Sequence, residues 1–211
     1  MIFYVENYVD KENAIWGKRL PSCSIFVWRS IFDMLNTILK RRINQDQLSN
    51  LFVNMLLDSV DNSYDEIVNL IKDDLAFTSQ PKIDNFEMDH LILIVFGANM
   101  TLAQNVLDVD PAAELQKLVI KKLATIFDKT PAEFAPILCE YQKFVNHVNF
   151  PSKNVVYGMS KAIFSKYELA QYQDEYFRDL KAPNPMFLQR FNEITELFLW
   201  DWDAFFKKYR L

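Results

Sequence analysis

DNFEMDHLILIVFGANMTLAQNVL, residues 84–107, is the stretch whose reading decides the fold. Its centre, Leu91 to Phe96, is an unbroken apolar run. Over so few residues a buried strand and a buried helix look alike. The flanks separate them. Asp84 and Glu87 form a capping pair in front, and no turn signal follows. The segment therefore predicts a central helix, apolar all round and buried, reaching about Leu107. Gly97 marks a kink or a close helix contact.

Outward from that helix, apolar residues recur at steps of three and four. Towards the N-terminus a helix is expected from about Ser24 to Arg42, carrying Trp28, Ile31, Phe32 and Leu35. Lys40, Arg41 and Arg42 would sit at its end, where the dipole favours cations. Asn44 with Gln47 opens a second helix, with the stripe Leu48, Leu51, Phe52, Met55 and Leu56. Ser63 with Glu66 opens a third, with Ile67, Leu70, Ile71 and Leu75. Residues 77–84 read as a loop. Residues 1–21 read as an irregular arm or short strand.

Towards the C-terminus, Asp110-Pro111 and Thr130-Pro131 with Glu133 are start signals. Pro136 should interrupt the second of these, leaving a turn and then a helix over about 136–149. Ser165 and Glu168 should cap a helix carrying Leu169, Tyr172, Tyr176, Phe177 and Leu180. Asn184-Pro185 opens a last helix expected to run unbroken over 185–211, with Lys207, Lys208 and Arg210 near its end. The expectation is an all-α, single-domain bundle over 1–211, with about eight or nine helices.

Composition agrees with this reading. Only three glycines occur in 211 residues, too few for folds that lean on positive-φ turns or phosphate-cradling loops. The net charge of −5 argues against bare attraction to nucleic acid. Direct nucleic-acid binding would need Lys40-Arg41-Arg42 and Lys117/Lys121/Lys122 to combine into one patch. No basic region followed by an apolar stretch opens the chain, so no secretory signal is expected and a cytoplasmic location fits. The longest apolar run is too short to span a bilayer, and Cys23 and Cys139 read as reduced thiols.

The chemistry of catalysis is not visible. No nucleotide-binding loop, nucleophile elbow or paired-cysteine motif occurs. Glu87-x-x-His90 has the spacing used in bundle di-metal sites, but Phe144 stands where His147 would need its glutamate. Neither cofactor nor metal nor catalytic residue is assigned.

Two features could carry a protein partner. Between Asp58 and Leu75 lie Asp58, Asp61, Asp65, Glu66, Asp73 and Asp74 against the single Lys72. Solvated helix surface and N-cap preference account for much of this; an acidic patch meeting a basic groove is the functional alternative. On a continuous last helix, Trp200 would fall among Glu193, Glu196, Asp203 and Lys207, away from the core face. It is then either covered by the N-terminal arm through Phe3 and Tyr4, or an interface anchor. The leading functional expectation is a non-catalytic interaction factor: an inhibitor, adaptor or immunity-type protein that occupies a partner's surface. Lysine, Asn, Ile and Phe usage would suit a virus or mobile element. A subunit of a symmetric homo-oligomer comes second, and a helical enzyme or small-ligand carrier third.

Overall fold

The computed structural model describes residues 40–82 and 88–211. The arm over 1–21, the Asp84/Glu87 pair and the helix expected from Ser24 lie outside them, except for the last residues of that helix. The fold is all-α, and Arg41–Leu211 pack as one unit. A short strand β1 (Arg41–Arg42) leads into α1 (Gln45–Asp73), α2 (Met88–Val106), α3 (Val109–Ile126), α4 (Pro131–Asn149) and α5 (Val155–Lys166). A 3-10 turn at Leu169–Tyr172 precedes α6 (Glu175–Leu180) and α7 (Pro185–Thr195). A second 3-10 turn, Glu196–Phe198, precedes α8 (Trp202–Lys208) and strand β2 (Tyr209–Arg210). Among the described residues, seven helices have at least seven residues.

The apolar run is a helix, and it is central. Leu91, Ile94, Val95 and Phe96 are fully buried, and Ile92 and Leu93 nearly so. Helices α1, α3, α4 and α5 surround it, which is why no polar face was needed. Removing each such side chain from water contributes about 1.5–3 kcal/mol. Gly97 is the point of close approach to α4: a Cβ there would lie 3.0 Å from the Gln142 backbone nitrogen and 3.2 Å from its Cα. Gly97→Ala should gain helix propensity and still lose stability, by about 1–2 kcal/mol net, because backbone cannot yield as a side chain can. A urea titration with unchanged slope and a lower midpoint checks this.

Several local expectations are met. Asn44 and Gln47 form a reciprocal capping box at 2.8 and 3.1 Å. Thr130 and Glu133 form another, and its hydrogen bonds from Thr130 hold the Glu133 carboxyl below its ordinary range. Asn184 caps α7, with Pro185 following.

Others are corrected. Ser63 opens nothing: α1 runs through it, and Ser63 lies on the buried side. Pro136 sits inside α4. It is exposed and in the second turn, so the Ala132 carbonyl it deprives of a partner can face water. Helix α3 starts two residues earlier than expected, with Asp108 and not Asp110 at the N-cap. The helix expected from Ser165 is divided, because Glu168 adopts a left-handed conformation at φ 54° and Asp174 starts α6 afresh. Between them Gln173, 1% exposed, donates to the Ala182 carbonyl and accepts from the Asn184 N–H.

The last helix is not continuous over 185–211. Asn99, buried in α2, donates to the Phe198 carbonyl and accepts from the Trp200 N–H, both at 2.8 Å. These bonds satisfy backbone groups that a helix would satisfy internally, and they hold Leu199 extended at ψ 132°. Asp201 then caps α8 through the Ala204 N–H. Arg41 and Arg42, expected at a helix end, are instead extended. They pair in parallel with Tyr209 and Arg210, closed by the Ile43 N–H to Arg210 carbonyl bond of 2.9 Å.

Candidate interaction surface

Continuity of α1 changes the meaning of its acids. With no helix start at Ser63, Asp61, Asp65 and Glu66 are mid-helix residues, and N-cap preference no longer accounts for them. At 100° per residue, Asp58, Asp61, Asp65, Glu66 and Asp73 fall within an arc of about 140°, opposite the buried Phe52, Leu56, Val60, Ile67 and Ile71. All five are exposed. The rise of a helix spreads them over about 22 Å. None forms an ion pair among the described residues.

The arrangement works against the helix. Asp58 and Asp61 are three apart, Asp61 and Asp65 four apart, spacings at which like charges repel. Asp73 also lies in the last turn, the negative end of the helix dipole. The field is felt locally: burial, and then the Asp65 carboxylate, push the Tyr64 phenol above its ordinary value.

Apolar side chains border this face. Met55 is 55% exposed and Leu75 98% exposed. Sequence periodicity places both in core stripes. On the continuous helix Met55 points outward with the acids, and Leu75 lies beyond the last turn. The periodic reading missed them because a three-to-four step fits either edge of an apolar stripe.

Asp74 does not belong to the patch. Its side chain is 1% exposed and takes two bonds from Arg190, Nε at 2.8 Å and a terminal nitrogen at 2.7 Å, while also accepting from the Ala76 N–H. It fastens the end of α1 to α7.

Trp200 is 7% exposed and packs against Phe52, Trp202 and Phe205, with ring centroids 5.2, 6.0 and 5.9 Å away. The wheel that placed it among charges assumed a continuous helix. With the break at Leu199, the indole turns inward beneath α1. Glu196 and Asp203 remain exposed on either side of the break, on separate elements.

Several surface hollows are formed by the described residues. One of about 490 Å³ is lined by Asn149, Phe150, Asn154, Tyr157, Lys161 and Asn192 among others, with no carboxylate. One of about 330 Å³ is lined by Thr101, Asn105, Asn146, Asn149 and Lys153, again without one. A third, of about 100 Å³, is lined by Glu140, Tyr141, Phe144 and Lys166. His90 Nδ1 lies 2.5 Å from the Tyr141 hydroxyl, with the two rings stacked. Among the described residues no three potential ligands converge on a metal position, and no helix is long and apolar enough to cross a membrane.

Comparison with protein-family models, with curated proteins and with solved structures gives no match. The surface chemistry alone carries the functional reading.

Proposed function

We propose that this chain is a non-catalytic interaction factor, an inhibitor or adaptor, that acts by docking the acidic face of α1 onto a basic surface of a larger protein. The single observation that carries the reading is the set of five exposed acids on one face of α1, none of them paired among the described residues. They follow neither from helix capping nor from the dipole, and their mutual repulsion lowers the stability of the helix that bears them. Met55 and Leu75 supply apolar contact beside the charge, the combination that protein interfaces use for affinity and for orientation.

Docking of this kind is steered by charge and weakens as salt screens it. Capture on immobilised chain should retain a basic partner at about 50 mM salt and release most of it at about 500 mM, where the screening length falls from about 14 Å to about 4 Å. A partner held equally well at both concentrations would show that the acidic face does not drive the contact.

A further inference from the structure

The fold gathers cations that are far apart in sequence. Parallel pairing of β1 with β2 brings Arg41 and Arg42 beside Tyr209 and Arg210, directly after Lys207 and Lys208. Lys40 precedes them. Arg41, Arg42, Lys207, Lys208 and Arg210 are all exposed. No carboxylate of the described residues pairs with any of them. The acids nearby are engaged or few: Asp46 is held by Lys122 at 3.0 Å, Asp201 caps α8, and Asp203 stands exposed one turn before Lys207.

Register adds a specific geometry. Arg42 and Arg210 are direct partners, so their side chains leave the same face of the ribbon with Cβ atoms about 5 Å apart. Like charges placed opposite each other destabilise a strand pair, and nothing in the fold requires them there. Two adjacent guanidinium forks suit phosphate oxygens, which each can grip with two N–H groups. On the ribbon's other face, Arg41 and Tyr209 border a hollow of about 270 Å³ floored by Ile43 and Leu51, with the amides of Gln47 and Asn50 at its side. The Lys208 ammonium stands 5.5 Å from the Tyr209 ring centre. A half-buried aromatic ring, amides and cations around a hollow of this size match what an unpaired base with its phosphates requires.

We infer that the β1–β2 ribbon and the end of α8 form a binding site for single-stranded nucleic acid, with Arg42 and Arg210 clasping the phosphodiester backbone. The acidic face of α1 does not oppose this, because its five acids begin at Asp58, about 25 Å along the helix from β1, beyond the screening length at physiological salt. The site is separate from the acidic face and does not depend on the function proposed for it.

Fluorescence anisotropy of a labelled 15-nucleotide oligothymidylate, titrated with the full chain, tests the assignment. Binding is expected at low salt. With about four phosphates neutralised, it should weaken several hundred-fold for a tenfold rise in salt. The double variant Arg42→Glu/Arg210→Glu should bind at least tenfold more weakly at an unchanged melting temperature. If that variant melts early, Arg42→Gln/Arg210→Gln makes the same test without reversed charge. Tyr209→Ala should remove most of the preference for the single strand over a duplex of equal length. No binding to the oligonucleotide, equal binding to the duplex, or displacement by polyglutamate as effective as by unlabelled oligonucleotide would each overturn the inference. The last result would point to an acidic protein instead.

Discussion

Asn99→Ala should be the most damaging single substitution in the described part of the chain, lowering stability by about 4 kcal/mol. Asn99 is fully buried and serves three backbone groups: the carbonyls of Val95 and Phe198 and the N–H of Trp200. Alanine leaves the Phe198 carbonyl and the Trp200 N–H buried and unpaired, at about 1–3 kcal/mol each, and adds a cavity. A domain of this size has about 5–15 kcal/mol in all, so the loss should appear as a large fall in the denaturation midpoint. Asn99→Asp is an informative companion. It can still accept from Trp200, but it loses the donor and sets a carboxylate against the Phe198 carbonyl, so it should not rescue. Denaturant titration of both variants checks this, and near-ultraviolet circular dichroism shows whether aromatic packing is lost with it.

The second large effect is expected at the Asp74–Arg190 pair. Breaking a buried ion pair from one side strands the other charge, at about 3–5 kcal/mol. Arg190 is 41% exposed on its side chain, so water screens part of that loss, and about 2–3 kcal/mol is expected for Arg190→Ala. Asp74→Asn should cost less. Its side-chain oxygen can still accept from the Ala76 N–H and from one arm of Arg190, and no buried charge is left behind. Melting curves of the two variants at one salt concentration rank them. Asp74→Asn melting lower than Arg190→Ala would contradict the account.

These two sites also mark where sequence reasoning ends. Signals confined to a few neighbouring residues were legible: the Asn44/Gln47 and Thr130/Glu133 boxes, Asn184-Pro185, and the helical nature of Leu91–Phe96. Each is a local bond or a periodicity within one turn or two. The features that failed to appear depend on distant partners. The last helix breaks because Asn99, 99 residues before Phe198, replaces its internal bonds. Arg190 claims Asp74 across 116 residues. Strand pairing joins residue 41 to residue 209. Ser63 with Glu66 is a faithful local motif overruled by burial, since Ser63 lies on the face that α1 turns to the core.

The same limit applies to the surface. All five acids of the α1 face could be named from sequence, but Asp74 could not be separated from them without seeing Arg190, nor Met55 and Leu75 recognised as outward-facing. Trp200 drew notice as an aromatic among charges, and the break in the helix dissolves that placement. The basic ribbon was the least legible of all, because half of it stands just before α1 and half at the far end of the sequence.

The central claim is that the acids of α1 are kept for docking at the expense of stability. One variant tests it most directly: Asp58→Asn, Asp61→Asn, Asp65→Asn, Glu66→Gln and Asp73→Asn together, which preserves shape and removes charge. Relief of two like-charge contacts and of the unfavourable dipole should raise stability by about 1 kcal/mol, a melting temperature about 3 °C higher, while salt-sensitive capture of the partner is lost. A variant that melts no higher and still holds its partner would contradict the account.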